Sequence, residues 1–133
     1  MSDIVSEWVE KAEGDFRTAE REARVRKAPN YDAVCFRAQQ CAEKYLKAFL
    51  IQRQIPFRPI HDLEVLLELI KSVSLDFECI RDLLLLLNDY AVDVRYPGEM
   101  ATKEESRAAL KAMRTVRTFL RQKLGFTDLP QPT

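Results

Sequence analysis

The sequence predicts an all-α protein, an up-and-down four-helix bundle with one additional short helix. Three observations carry this. Only three of the 133 residues are glycine, in a chain 47% hydrophobic and 32% charged, a balance that suits helices. Apolar residues recur three and four positions apart through five successive segments. The breakers Ala28-Pro29-Asn30, Pro56 with Pro59, and Pro97-Gly98 fall between those segments.

The first helix begins near Asp3 or Ser6 and runs to about Arg26, with Trp8, Ala12, Phe16, Ala19 and Ala23 as its apolar stripe. Gly14 inside it costs about 1 kcal/mol relative to alanine. Asn30 is the expected N-cap of a second helix, Tyr31 to about Arg53, whose core stripe is Val34, Ala38, Cys41, Tyr45 and Phe49. Its other side carries Gln39, Gln40, Glu43, Lys44 and Lys47. A short third helix spans Asp62 to about Val73, capped by Asp62, with Leu63, Leu66, Leu67 and Ile70 buried. The fourth runs from Asp76 to about Arg95 on Ile80, Leu83, Leu84, Leu87, Ala91 and Val94. The fifth starts at Thr102, where T-K-E-E forms a capping box with Glu105. It continues through Ala109, Met113, Val116, Leu120 and Leu124 to Gly125.

Five consecutive leucines, 83 to 87, point in five directions about 100° apart, more than one core stripe can absorb. Leu85 or Leu86 should face outward unless the short helix or a second protomer covers it.

The chain reads as one domain, residues 1–125, followed by a flexible tail, 126–133. Twenty-one basic and twenty-one acidic residues cancel, so any nucleic-acid role must rest on a local patch. Three cysteines, Cys35, Cys41 and Cys79, without C-x-x-C spacing, fit reduced, packed thiols better than a disulfide frame or a zinc site. Motifs for dinucleotides, P-loops, metals and serine nucleophiles are absent, and neither cofactor nor metal is expected. The N-terminus lacks a signal-peptide core, and the leucine run is far short of a membrane span. A cytoplasmic protein without membrane association is the expectation.

The stretch DVRYPGEM, residues 93–100, ends the fourth helical pattern with Arg95 and Tyr96 before a Pro-Gly turn. These two residues either cap the helix, where a cation suits the macrodipole, or contact a phosphate, a nucleotide or a polar dimer interface. Asp93 can orient Arg95 in either case.

Three stretches in order resemble the HEPN domain family. W-x-x-K-A-x-x-D occurs as Trp8, Lys11, Ala12 and Asp15. Q-x-A-E-K-x-x-K-A occurs as Gln40, Ala42, Glu43, Lys44, Lys47 and Ala48. H-D-L at His61, Asp62 and Leu63 is paired with R-Y-P at Arg95, Tyr96 and Pro97. The resemblance covers about residues 4–124. It implies a four- or five-helix bundle that dimerises, often beside a small nucleotidyltransferase, with members that are metal-independent ribonucleases, nucleotide binders or noncatalytic partners. It also implies that Glu43, Lys44 and Lys47, with Asp93, Arg95 and Tyr96, build a nucleotide-binding, phosphate-binding or polar dimer pocket. Read from spacing alone, Glu43 and Lys47 are an i,i+4 pair supporting an exposed helix.

Ribonuclease members carry R-x(4-6)-H. Arg95 matches the arginine and is a catalytic candidate, but no histidine follows; His61 is the only one in the chain. Arginine can hold phosphorane charge, yet it cannot serve as the base that removes the 2′-hydroxyl proton. His61 reads mainly as a residue that helps to begin the third helix. Arg107, Lys111, Arg114, Arg117 and Arg121 form a one-sided basic stripe, either a solvated face or a surface for an anionic partner. The function expected is therefore a homodimeric nucleotide-binding and interaction module with a nucleotidyltransferase partner, in a toxin–antitoxin type arrangement, and not a standard ribonuclease. The alternatives are a divergent metal-independent HEPN ribonuclease using Arg95 with Glu43 or His61, and a noncatalytic RNA-binding dimer using the basic stripe.

Overall fold

The computed structural model describes residues 2–93 and 95–126. Its helices are α1 (Asp3–Ala23), α2 (Tyr31–Gln52), α3 (Leu63–Lys71), α4 (Arg81–Asn88) and α5 (Lys103–Leu124), with a 3₁₀ segment, Leu75–Ile80, leading into α4. No strand occurs among the described residues.

Each long helix begins where a side chain can take its free N–H groups. Ser2 Oγ accepts from Val5 N at 3.3 Å, and Asn30 Oδ1 from Ala33 N at 3.0 Å. At α5, Thr102 Oγ1 accepts from Glu105 N (3.1 Å) while Glu105 Oε1 accepts from Thr102 N (2.9 Å), the expected capping box. Gly125 closes α5 at φ 96°, a left-handed conformation in which a β-carbon would be strained.

Helix α2 is the central element. Thirteen of its 22 residues are buried, including Cys35 and Cys41 on different sides, because α1 and α5 both pack extensively along it. Tyr45 meets Glu13 and Arg121, Glu22 reaches Asn30, and Gln52 donates to the Leu124 carbonyl. These pairings make α1 antiparallel to both α2 and α5, and α2 parallel to α5. The predicted stripes of α2, α3 and α5 are buried throughout. On α1 the buried apolar set is Val5, Val9, Ala12 and Ala19, so the stripe is rotated; Trp8 and Phe16 sit at its margin, and Ala23 is exposed.

The fourth helix departs most from expectation. It begins as a 3₁₀ segment and stops at Asn88, seven residues before Arg95, leaving Ala91 in the following connection and Val94 outside the described residues. Two interactions account for the stop. Asn88 turns its amide to α3, accepting from Leu63 N (2.8 Å) and donating to Asp62 (3.0 Å). The Asp89 carbonyl, free at the helix end, accepts from Arg95 Nη2 at 2.6 Å. The run after it, with Val92 and Val94, favours helix weakly. Tyr96 to Glu99 then forms a turn closed by a 3.0 Å backbone hydrogen bond, with Gly98 at φ 93° in the position a type II turn reserves for glycine.

Leu84 and Leu87 are buried and Leu83 half-buried, whereas Leu85 and Leu86 are 39% and 36% exposed, as the geometry of the leucine run requires. Cys79, contrary to the packed-thiol expectation, is exposed: it lies in the 3₁₀ segment, whose buried residues are Phe77 and Ile80. Phe126 packs on the core; the rest of the predicted tail lies outside the described residues. No helix among the described residues is long and apolar enough to cross a membrane.

Candidate functional site

The polar residues of α2 expected on a solvated side are largely internal. Glu43 and Lys47 are 3% and 5% exposed, and Gln39 is fully buried. Glu43 Oε2 accepts from Lys47 Nζ at 3.0 Å, and Gln39 Nε2 donates to Glu43 Oε1 at 3.2 Å and to the His61 carbonyl at 3.1 Å. His61 Nδ1 lies 3.0 Å from both Glu43 oxygens. The ammonium of Lys47 stands 5.8 Å from the Trp8 ring and 5.9 Å from that of Phe57, so two aromatic faces supplement its single carboxylate. A buried ion pair supplied with these extra partners is tolerated where a bare one would not be.

His61 thus gains a role that its position before α3 did not announce. Its side chain is 65% exposed while Nδ1 is held on a buried carboxylate. With Nδ1–H donated to Glu43, the proton-accepting nitrogen is Nε2 on the far side of the ring. Asp62 beside it caps α3 as expected, accepting from Glu64 N and Val65 N.

From Asp62 the polar edge continues through Asn88 to Asp89, whose carbonyl holds Arg95. The guanidinium of Arg95 also lies over the Tyr90 ring, 5.3 Å from its centre. H-D-L, R-Y-P and the Glu43 cluster therefore share one edge of the bundle, although among the described residues no hydrogen bond or ion pair joins Arg95 directly to Glu43. Asp93 and Tyr96 are exposed, and the hydrogen bond that orients Arg95 goes to the Asp89 carbonyl rather than to Asp93. Beneath this edge, burial and the nearby charges of Glu105 and Asp32 push the Cys35 thiol up to about 11, and burial first, then neighbouring Cys35 and Glu105, raise the Tyr90 phenol to about 12.

Lys44 goes elsewhere. With Arg37 (3.0 Å) it flanks the buried Asp15, and the three line a groove of about 730 Å³ beside Trp8 and Lys11. Sequence reasoning had Asp15 in the W-x-x-K-A-x-x-D motif without a role; its i,i+7 distance from Trp8, which borders the same groove, was the available signal.

The basic stripe of α5 proves to be mostly a seam rather than a solvated face. Arg114 binds Glu20 through two hydrogen bonds (2.6 and 2.8 Å), and Arg117 binds Glu13 likewise (both 2.7 Å) while lying 4.3 Å over Phe16. Arg121 donates to the buried Tyr45 hydroxyl at 3.0 Å. Burial pushes the Glu13 carboxyl up, but hydrogen bonds from Arg117 and Tyr45 and the charges of Arg117 and Arg121 outweigh it and lower it overall. Arg107 and Lys111 stay exposed. The signal was present in the sequence: Glu13 and Glu20, two turns apart on α1, complement Arg114 and Arg117 on an antiparallel neighbour. No group of three or more His, Cys, Asp or Glu side chains fit to hold a metal occurs among the described residues.

The family model of the HEPN domain matches residues 5–123. Among solved structures the chain is similar to ST0689, an archaeal HEPN homologue, with 23% identity, TM-score 0.71, and coverage of 90% of this chain and 97% of that one. It is also similar to TT1696 from Thermus thermophilus, with 24% identity, TM-score 0.73, and coverage of 92% and 99%. These likenesses speak to the fold. No curated protein matches the chain.

Proposed function

The chain belongs to the HEPN domain family, and from that premise we propose that it is a homodimeric nucleotide-binding and interaction module whose partner is a small nucleotidyltransferase. The observation that supports this most is the shared position of two features on α4. Its outer face exposes Leu85 and Leu86, and its C-terminal end is tied to the His61–Arg95 edge. A second copy seated on those leucines brings two such edges toward one another, and a shared cleft results. Within it Arg95 and Tyr96 supply charge and a ring for a phosphate-bearing ligand, while Glu43 and Lys47 brace the wall. The domain responsible is the bundle itself, residues 1–125.

Binding of a nucleoside triphosphate, followed by calorimetry, tests the ligand half of this reading. Arg95→Ala should weaken binding by about tenfold, the loss of one charge-assisted contact; unchanged affinity would contradict it. The partner half, including a toxin–antitoxin arrangement, predicts a neighbouring reading frame with G-S-x(9-10)-D-x-D whose product co-purifies with this chain from its native locus.

One observation favours a second reading. Glu43 and His61 have the arrangement of an oriented base, which a divergent metal-independent ribonuclease needs alongside Arg95. Mixed RNA incubated with the protein in EDTA should then be cleaved, and His61→Ala should abolish the cleavage; intact RNA would end this reading. The noncatalytic RNA-binding dimer has less support, since Arg114, Arg117 and Arg121 already have partners on α1 and α2.

A further inference from the structure

Most of the chain's internal cations have carboxylates. Lys44 has Asp15, Lys47 has Glu43, Arg81 has Glu64, Glu68 and Glu78, Arg117 has Glu13, and Lys123 has Asp76. One cleft breaks this pattern. It has a volume of about 570 Å³ and lies between the C-terminal end of α1, the connection over residues 24–30 and the first half of α5. Arg24, Arg26, Lys103, Arg107 and Arg114 line it against a single carboxylate, Glu20.

That carboxylate is taken. Both Glu20 oxygens accept from Arg114, and its pKa is lowered by that hydrogen bond first and by the charge of Arg24 among others. Arg26, Lys103 and Arg107 have no side-chain hydrogen bond or ion pair among the described residues, and Arg24 has only its field on Glu20. All four are exposed. The nearby Glu22 is not among the lining residues, and its carboxylate accepts from the Asn30 N–H.

The local fold creates this convergence. Lys103, Arg107 and Arg114 are four and seven residues apart, on one face of α5. Arg24, the C-cap of α1, and Arg26 follow directly on that helix, ahead of the left-handed turn at Ala28 (φ 52°), and line the same cleft. The site does not depend on the α5 terminus, whose capping box already occupies its first N–H groups.

A net-neutral chain that gathers five cations around one committed carboxylate presents a local field of one sign, in a concavity of ligand size. Like charges held this close repel, and an anion placed among them relieves that repulsion. The excess exceeds what one phosphate carries. We propose that this cleft binds a run of phosphate groups bearing at least three negative charges, at a site that shares no residue with the Glu43–Arg95 edge. Such a run comes either from a free polyphosphate or from successive phosphodiesters of an RNA strand.

Calorimetry at low salt with inorganic tripolyphosphate and with a single-stranded 12-mer oligoribonucleotide separates the two sources. Tripolyphosphate binding at micromolar concentration that the oligonucleotide does not displace identifies a free polyphosphate. Oligonucleotide binding that weakens steeply with salt, with tripolyphosphate binding far more weakly, identifies a nucleic-acid backbone. Either result supports the cleft provided the double variant Arg26→Glu, Arg107→Glu lowers the affinity at least about tenfold at unchanged helicity. Both residues are exposed and unpaired, so the variant should fold. A charge reversal at an exposed cation outside the cleft, Arg58→Glu, serves as the control and should leave this binding unchanged. Absence of binding by both ligands, or binding that survives the double substitution, would overturn the proposal.

Discussion

At the scale of single residues, Glu43 carries the largest consequence. Its carboxylate balances Lys47, holds His61 and receives Gln39, so Glu43→Ala leaves a buried ammonium without its counter-ion. The expected cost is about 3–5 kcal/mol, measured by urea denaturation. A cost below about 1 kcal/mol would mean that Lys47 finds water, and that the cluster is surface rather than interior. Gly14 predicts the opposite sign. It sits mid-helix with its nearest obstacle to a β-carbon, Arg17 Nη2, 4.0 Å away, so Gly14→Ala should stabilise by about 0.5–1 kcal/mol. The thiols give a simpler test: a native-state thiol titration at neutral pH should count one fast cysteine, Cys79, and three after unfolding. Residue-scale detail was the least legible in the sequence. The spacing of Glu43 and Lys47 is the same whether the pair is exposed or buried; what buries it is Trp8, Phe57 and His61 from distant segments, which no local pattern announces.

Elements were legible wherever caps and periodicity agreed. Asn30, Asp62 and Thr102 with Glu105 mark helix starts in the sequence and do so in the fold. The fourth helix was overextended because its end is set from outside, by Asn88 bonding to α3 and Arg95 bonding back to Asp89. Apolar spacing through Ala91 could not reveal either. Among elements, the α1–α5 seam makes the sharpest prediction. Arg117→Ala removes a two-bonded pair and a ring contact, and should cost about 1–2 kcal/mol, the lower part of the range for charged hydrogen bonds because the pair keeps some contact with solvent. A double-mutant cycle with Glu13→Gln should show the two coupled. The pH dependence follows from Glu13 and Glu20, both held below their usual range. Such carboxylates contribute fully above their unfolded values, and their contribution is lost as pH falls through the lowered folded ones. Denaturation midpoints should therefore fall as the pH drops below about 4.5, the ordinary carboxylate value, and Glu13→Gln with Glu20→Gln should flatten that part of the profile. Cys35 acts at the other end: with its thiol raised from 9.0 to about 11, the neutral form favours the fold, and that contribution fades as pH climbs through this interval.

For the whole molecule, three long helices fix a frame in which α2 is wrapped and α4 is left with one apolar face outward. The leucine run predicted that face from geometry alone, and the fold places Leu85 and Leu86 there. What the frame adds is proximity: the same short helix that offers leucines to a neighbour also anchors the edge formed by His61, Asp62 and Arg95. The proposed function rests on that coincidence, because a cleft shared by two copies needs both an apolar seat and polar groups beside it. Sedimentation velocity at micromolar concentration tests it most directly. The account predicts a species of twice the 15.5 kDa chain mass that falls to a single chain in Leu85→Glu, Leu86→Glu, with helicity retained. A wild-type protein that sediments as one chain would contradict it.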